Sequence, residues 1–140
     1  MEIMDRDRTT ATQRIGMGLA FVEACLLAFV GALHFGFVLH VGDATFAAPF
    51  SYPAAIVEEL LAFAIVLGLI LPGAGGIRAG RVLLAQLMVV IGVFVGQIAL
   101  MRAAATATAP NEIFYAIALA VALATIALLA SPIRRRSPAH

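Results

Sequence analysis

Four long apolar stretches, separated by short polar or turn-forming segments, dominate the chain. The first runs from Ile15 to about Val41. It exceeds the ~20 residues a helix needs to cross the hydrocarbon core of a bilayer, so it predicts a tilted membrane helix. Gly42 to Tyr52 then reads as a loop, with Asp43 and no basic residue. Its Phe46, Phe50 and Tyr52 suit the headgroup region, where amphipathic rings concentrate. Ser51 as N-cap and Pro53 in the first turn open a second helix, which stops at Leu71 before Pro72-Gly73. A third covers Ile77 to Met101, with Arg102 at its far end. After an Ala/Thr loop, Pro110 opens a fourth that continues to Ala130 and is ended by Ser131-Pro132. The pattern predicts an all-α fold, a four-transmembrane-helix bundle over about 15–41, 53–71, 77–101 and 110–130. A polar segment (1–14) precedes it and a basic tail (132–140) follows.

Composition identifies the solvent. Hydrophobic residues make up 63% of the 140, charged residues only 12%, and the mean hydropathy is +1.04. An average soluble domain carries roughly 25% charged residues, and a domain this small keeps much of its surface exposed. Lipid resolves the excess. A cleaved signal peptide would show a short apolar core and a small-residue cleavage site. The long first stretch instead predicts a retained membrane helix.

Charge sets the orientation. Arg6, Arg8, Arg14, Arg78, Arg81 and Arg134 to Arg136 fall on one side of a four-span arrangement, and only Arg102 falls on the other. By the positive-inside rule both termini are cytoplasmic. All nine basic residues are Arg, which with abundant Ala, Gly and Val suggests a GC-rich bacterial genome and hence the inner membrane. Net charge is +1, so no strong field recruits nucleic acid. The single cysteine, Cys25, has no intrachain partner and forms no CxxC motif.

Polar groups inside the spans are the candidate chemistry, because a charge at the helix centre costs on the order of 2.5–3.5 kcal/mol on insertion scales. Helix 1 carries Glu23 and His34, and helix 3 carries Gln86 and Gln97. In each case the two residues are eleven apart, which returns within about 20° of one face. Both helices ascend from the cytoplasm, so matched depths pair Glu23 with Gln86 and His34 with Gln97, provided helices 1 and 3 are adjacent. Glu58 and Glu59 open helix 2 at the outer level, joined by Asn111, Glu112 and Tyr115 of helix 4, with His40 and Arg102 nearby. A four-helix bundle can build a ligand or proton site from such inward-pointing groups. Each piece also has a plainer reading. Glu58 and Glu59 point ~100° apart, so one faces headgroups. The glutamines serve as interhelical hydrogen-bond glue, and His40 is interfacial. Small-residue steps, Gly92-xxx-Gly96, Ala28-xxx-Ala32-xxx-Gly36 and Ala116/Ala120/Ala124, read as packing faces. Cys25 and Met88 read as filler.

Several chemistries are set aside. His34 and His40 share one predicted helix and His140 lies in the tail, which does not suit a bis-histidine haem. The Glu-x-x-His pairs of a bundle di-iron site are missing, as are HExxH, hydrolytic and dinucleotide signatures. Gly73-Ala74-Gly75-Gly76 lacks the Lys and Ser/Thr of a phosphate loop. No metal site is expected.

From about Gly31 to Val95 the chain runs "GALHFGFVLHVGDATFAAPFSYPAAIVEELLAFAIVLGLILPG", a Gly-rich turn, then "RAGRVLLAQLMVVIGVFV". This order resembles DoxX-like four-helix membrane proteins. In that family a Pro-opened second helix bears an early acid, here Glu59 or Glu58, and closes on a Leu-Gly-Leu pattern, here at Gly68-Leu69. The likeness covers about half the chain and rests mostly on hydrophobic patterning; His34 and the glutamines are not among the features that tie it to the family. It implies a small accessory subunit, not an enzyme on its own, supporting a membrane redox or quinone-linked complex. Quinone would then be the ligand and a membrane oxidoreductase the partner. A proton-coupled transporter, with Glu23 and His34 as stacked sites, is the competing expectation. A purely structural or assembly protein, including a homo-oligomer, is the third.

Overall fold

A computed structural model describes residues 2–49, 51–73, 75–102 and 109–134. Four helices, α1 (Glu2–His34), α2 (Tyr52–Ile70), α3 (Gly75–Arg102) and α4 (Ala109–Arg134), are joined by one excursion of different character. That excursion is a two-stranded antiparallel hairpin, β1 (Leu39–Val41) and β2 (Ala44–Phe46), between α1 and α2. Segments 11–34, 52–70, 76–98 and 112–130 are each long and apolar enough to cross a membrane. Nineteen residues of α2 span about 28 Å at 1.5 Å per residue, close to the ~30 Å hydrocarbon core.

The helices pack as a ring. α1 lies along α2 and α4, and α3 lies along the same two, which leaves α1 and α3 facing each other across the diagonal. Buried positions recur at three-four spacing, Ala79, Val82, Gln86, Val89 and Val93 on α3 and Ala118, Ala122, Thr125 and Leu129 on α4. That is the rhythm of helices meeting at shallow crossing angles. The opposite faces carry Phe21, Phe63, Leu84, Ile91 and Ile113, each more than half exposed, an arrangement suited to lipid contact.

Helix 1 departs from expectation at both ends. It begins at Glu2, inside the segment read as polar and separate, and stops at His34, well before Val41. Its end is a Schellman motif. Gly36 adopts φ 93°, its N–H donates to the Leu33 carbonyl at 2.9 Å, and the Phe37 N–H donates to the Ala32 carbonyl at 3.2 Å. Gly36 is therefore a helix stop and not the end of a packing step. His40 consequently sits on β1, opposite Thr45, and shares a 3.1 Å hydrogen bond with its hydroxyl. Gly42, at φ 58°, supplies the tight turn. The hairpin leaves and returns at one place, since the Ser51 N–H donates to the His34 carbonyl at 3.0 Å. Phe46 lies edge-on to Phe29 of α1, and Tyr52 edge-on to Phe35.

Three further expectations change. α4 continues through Ser131-Pro132 to Arg134. Ala116, Ala120 and Ala124 lie on its exposed side, and Ala118, Ala122, Thr125 and Leu129 form the packed face. Cys25 and Met88 also face outward. Phe50, Ala74, Arg135, Arg136 and His140 lie outside the described residues.

Candidate functional site

The polar side chains of the interior gather in two layers. At the hairpin end, Nδ1 of His34 and Oε2 of Glu58 are 2.7 Å apart, with both residues almost wholly buried. His34 is the last residue of α1 and Glu58 lies on the second turn of α2. The Schellman stop and the returning Ser51 N–H hold the end of α1 beside the start of α2. A separation of 2.7 Å is at the short end of the range for a nitrogen–oxygen hydrogen bond. An imidazole N–H donates to a carboxylate, or a carboxyl O–H donates to a neutral imidazole. Either way one proton is shared between two helices. The Tyr115 hydroxyl of α4 donates to Glu58 Oε1 at 3.5 Å, a weak third contact.

Glu59, one residue on, does not enter the core. It is half-buried over Gly31 of α1, where a Cβ would meet its Oε1 at 3.0 Å. The adjacent acids thus divide their roles through the ~100° step of the helix, and Gly31 leaves room for Glu59.

The other layer lies about 16 Å along α1, eleven residues at 1.5 Å each. Glu23 of α1, Gln86 of α3 and Thr125 of α4 are all at most 1% exposed. Gln86 is close enough to Glu23 to bear on its carboxyl across the diagonal. Hydrogen-bond geometry is nevertheless unmet: Glu23 Oε1 and Oε2, Gln86 Oε1 and Nε2, and Thr125 Oγ1 have no hydrogen-bond partner among the described residues. Between the layers the core is apolar, with Leu27, Leu61 and Val89.

Of the pairings expected from depth, Glu23 and Gln86 are both buried but share no hydrogen bond among the described residues. His34 takes Glu58 as its partner in place of Gln97, which is half-buried and makes no side-chain hydrogen bond among the described residues. The cause is the ring order: α1 and α3 are diagonal, whereas α1 and α2 are neighbours, so an acid on α2 reaches the imidazole first. Glu112 is exposed in the first turn of α4. The side chains of Asn111 and Arg102 lie outside the described ones. Thr125 escapes a reading guided by ionisable groups. Its signal is the three-four register it shares with Ala118, Ala122 and Leu129. Among the described residues no three His, Cys, Asp or Glu side chains converge as metal ligands. The chain matches no protein-family model, no curated protein and no solved structure.

Proposed function

We propose that the chain is a small accessory subunit of the bacterial inner membrane, with cytoplasmic termini, that serves a redox or quinone-linked complex. It does so through a proton-exchanging centre, His34–Glu58–Tyr115, in the outer half of the bilayer. The observation that carries this reading is the 2.7 Å contact between His34 and Glu58 inside an apolar bundle. Ionisable side chains at such depth are costly and recur in proton relays. This pair shares a proton between nitrogen and oxygen, so it can accept one and pass one on without separating full charges in lipid. Half-buried Tyr115 extends the pair to α4 through its contact with Glu58.

The residues fit the protonic half of quinone chemistry and not its electronic half. Reduction of a quinone to a quinol takes two electrons and two protons. The described side chains offer carboxyl, imidazole and phenol groups for protons, and the electrons come from the partner oxidoreductase. The resemblance to DoxX-like proteins points the same way.

Purification in mild detergent without crosslinker, followed by mass spectrometry, is expected to recover an oxidoreductase in fixed stoichiometry or a bound quinone. In that complex Glu58→Gln and His34→Gln should lower quinone-linked turnover about a hundredfold, the lower end of the range for a lost acid–base group. A clean preparation with neither partner nor quinone, or unchanged turnover in folded variants, sinks the proposal.

A further inference from the structure

We infer that Glu23, Gln86 and Thr125 form a second site, which binds a proton on the Glu23 carboxyl together with one water molecule. This site lies near the middle of the candidate spans of α1 and α3 and is separate from the His34–Glu58 centre. It does not depend on the accessory-subunit reading.

The argument begins with what the three side chains demand. Five polar atoms from three helices are fully buried and without a hydrogen-bond partner among the described residues. In hydrocarbon each such atom costs free energy that packing does not return. The demand is of mixed sign. The Gln86 amide nitrogen brings two N–H donors, whereas the Glu23 oxygens and Gln86 Oε1 require donors when the acid is ionised. A metal cation would satisfy oxygens and leave the amide hydrogens bare. Water accepts and donates at once, and two to four polar partners are what a buried water needs. A proton on Glu23 removes the charge that no described base neutralises.

Geometry brings the three groups to one level. Gly16 of α1 packs against Leu129 of α4, so antiparallel counting puts Thr125 within about one turn of Glu23. Gln86 lies across the diagonal and close to Glu23. Along their helices Ala20, Ala24, Ala85 and Ala122 lie within three residues of these groups and are all buried.

Titratable groups on the packed helices leave Glu23 to itself. Glu58 and Glu59 on α2, and Glu112 and Tyr115 on α4, belong to the hairpin end of the bundle. On α3, Arg81 donates to the Leu71 and Pro72 carbonyls at 3.2 and 3.0 Å, and Arg78 is exposed. On α1 itself, Arg14 is exposed and lies nine residues away, about 13 Å. Cys25 faces outward.

The test is infrared difference spectroscopy of the protein in lipid bilayers across pH, in ordinary water, in D2O and in H2 18O. Expected is a protonated-carboxyl C=O band that Glu23→Gln removes and Glu58→Gln leaves in place. The band should shift in Gln86→Leu and in Thr125→Val, and an 18O-sensitive water O–H band should vanish with it in Glu23→Gln. If Glu23→Gln does not fold, the two neighbour variants still read the site through the native acid. A spectrum without a Glu23 band at any pH overturns the inference, as does a band indifferent to both neighbours. A titration that moves when Na+ replaces choline overturns it in favour of a metal cation.

Discussion

His34 and Glu58 set the energetic question at the scale of single residues. Removing one partner from a buried ion pair in a water-soluble protein costs about 3–5 kcal/mol, because the survivor is stranded. In a bilayer the separated helices already lie in hydrocarbon, and interhelical hydrogen bonds there average only about 0.6 kcal/mol with a maximum near 1.7. The 2.7 Å contact belongs at the upper end of that range. A double-mutant cycle of His34→Gln and Glu58→Gln, measured by reversible unfolding in mixed micelles, should give a coupling of about 1–2 kcal/mol. A coupling near zero would mean that the two side chains titrate and pack independently. Much of this scale was legible in the sequence: Glu23, His34, Glu58 and Gln86 declare themselves by polarity inside apolar runs, and all four are buried. Which of two adjacent acids points inward was not legible, because Glu58 and Glu59 differ only by a rotation about the α2 axis. The neighbouring helices decide that rotation.

Among the elements, α1 shows how continuous hydrophobicity hides a boundary. The run from Phe35 to Val41 is as apolar as the helix before it, so hydropathy extends the helix while Gly36 stops it. The backbone at φ 93° and the two reversed hydrogen bonds of the cap overrule the pattern. Gly42-Asp43 then closes the hairpin in two residues, a signal available in the sequence but masked by the assumption of a longer helix. Close approach between helices is likewise local. Of the Gly92-xxx-Gly96 pair, only Gly92 meets a neighbour, Leu61 at 3.1 Å from an added Cβ, and Gly96 faces open space. Gly68 of α2 lies against the α3 backbone, where a Cβ would meet Val82 Cγ2 at 3.2 Å, Val82 N at 3.3 Å and Arg81 C at 3.4 Å. Backbone atoms cannot swing aside, so Gly68→Ala should destabilise by about 1–3 kcal/mol through separation of α2 from α3. Gly18→Ala, with nothing within 4 Å, should be neutral or gain up to about 1 kcal/mol of helix propensity. Denaturant titration in micelles compares the two directly, and equal effects would contradict this account of helix contact.

Over the length of its spans the molecule exposes large apolar side chains around an apolar core that holds a few buried polar groups, a pattern suited to lipid. The start of α1, the end of α4 and the α2–α3 turn share one end of the bundle, and the hairpin caps the other. In the orientation proposed above, the arginine bias puts the first end in the cytoplasm. In a Cys25→Ser background, a membrane-impermeant maleimide added to cells with a permeable outer barrier should label Asp43→Cys and spare Ala11→Cys. Labelling of Ala11→Cys alone would invert the topology and move the His34–Glu58 centre to the inner half.

Sequence by itself determined the solvent, the four spans and the identity of the polar residues that occupy them. Each of these follows from transfer free energy, a property of a residue and its near neighbours along the chain. Tertiary structure decided the partners. Depth matching along α1 and α3 suggested His34 with Gln97, but the ring order set α2 beside α1 and gave the imidazole Glu58. The same packing buried Thr125, an unremarkable residue in an alanine-rich helix, as fully as Glu23 and Gln86. Partner choice depends on which helix faces adjoin and at what rotation. Those quantities arise from packing between segments far apart in the chain, which no local pattern records.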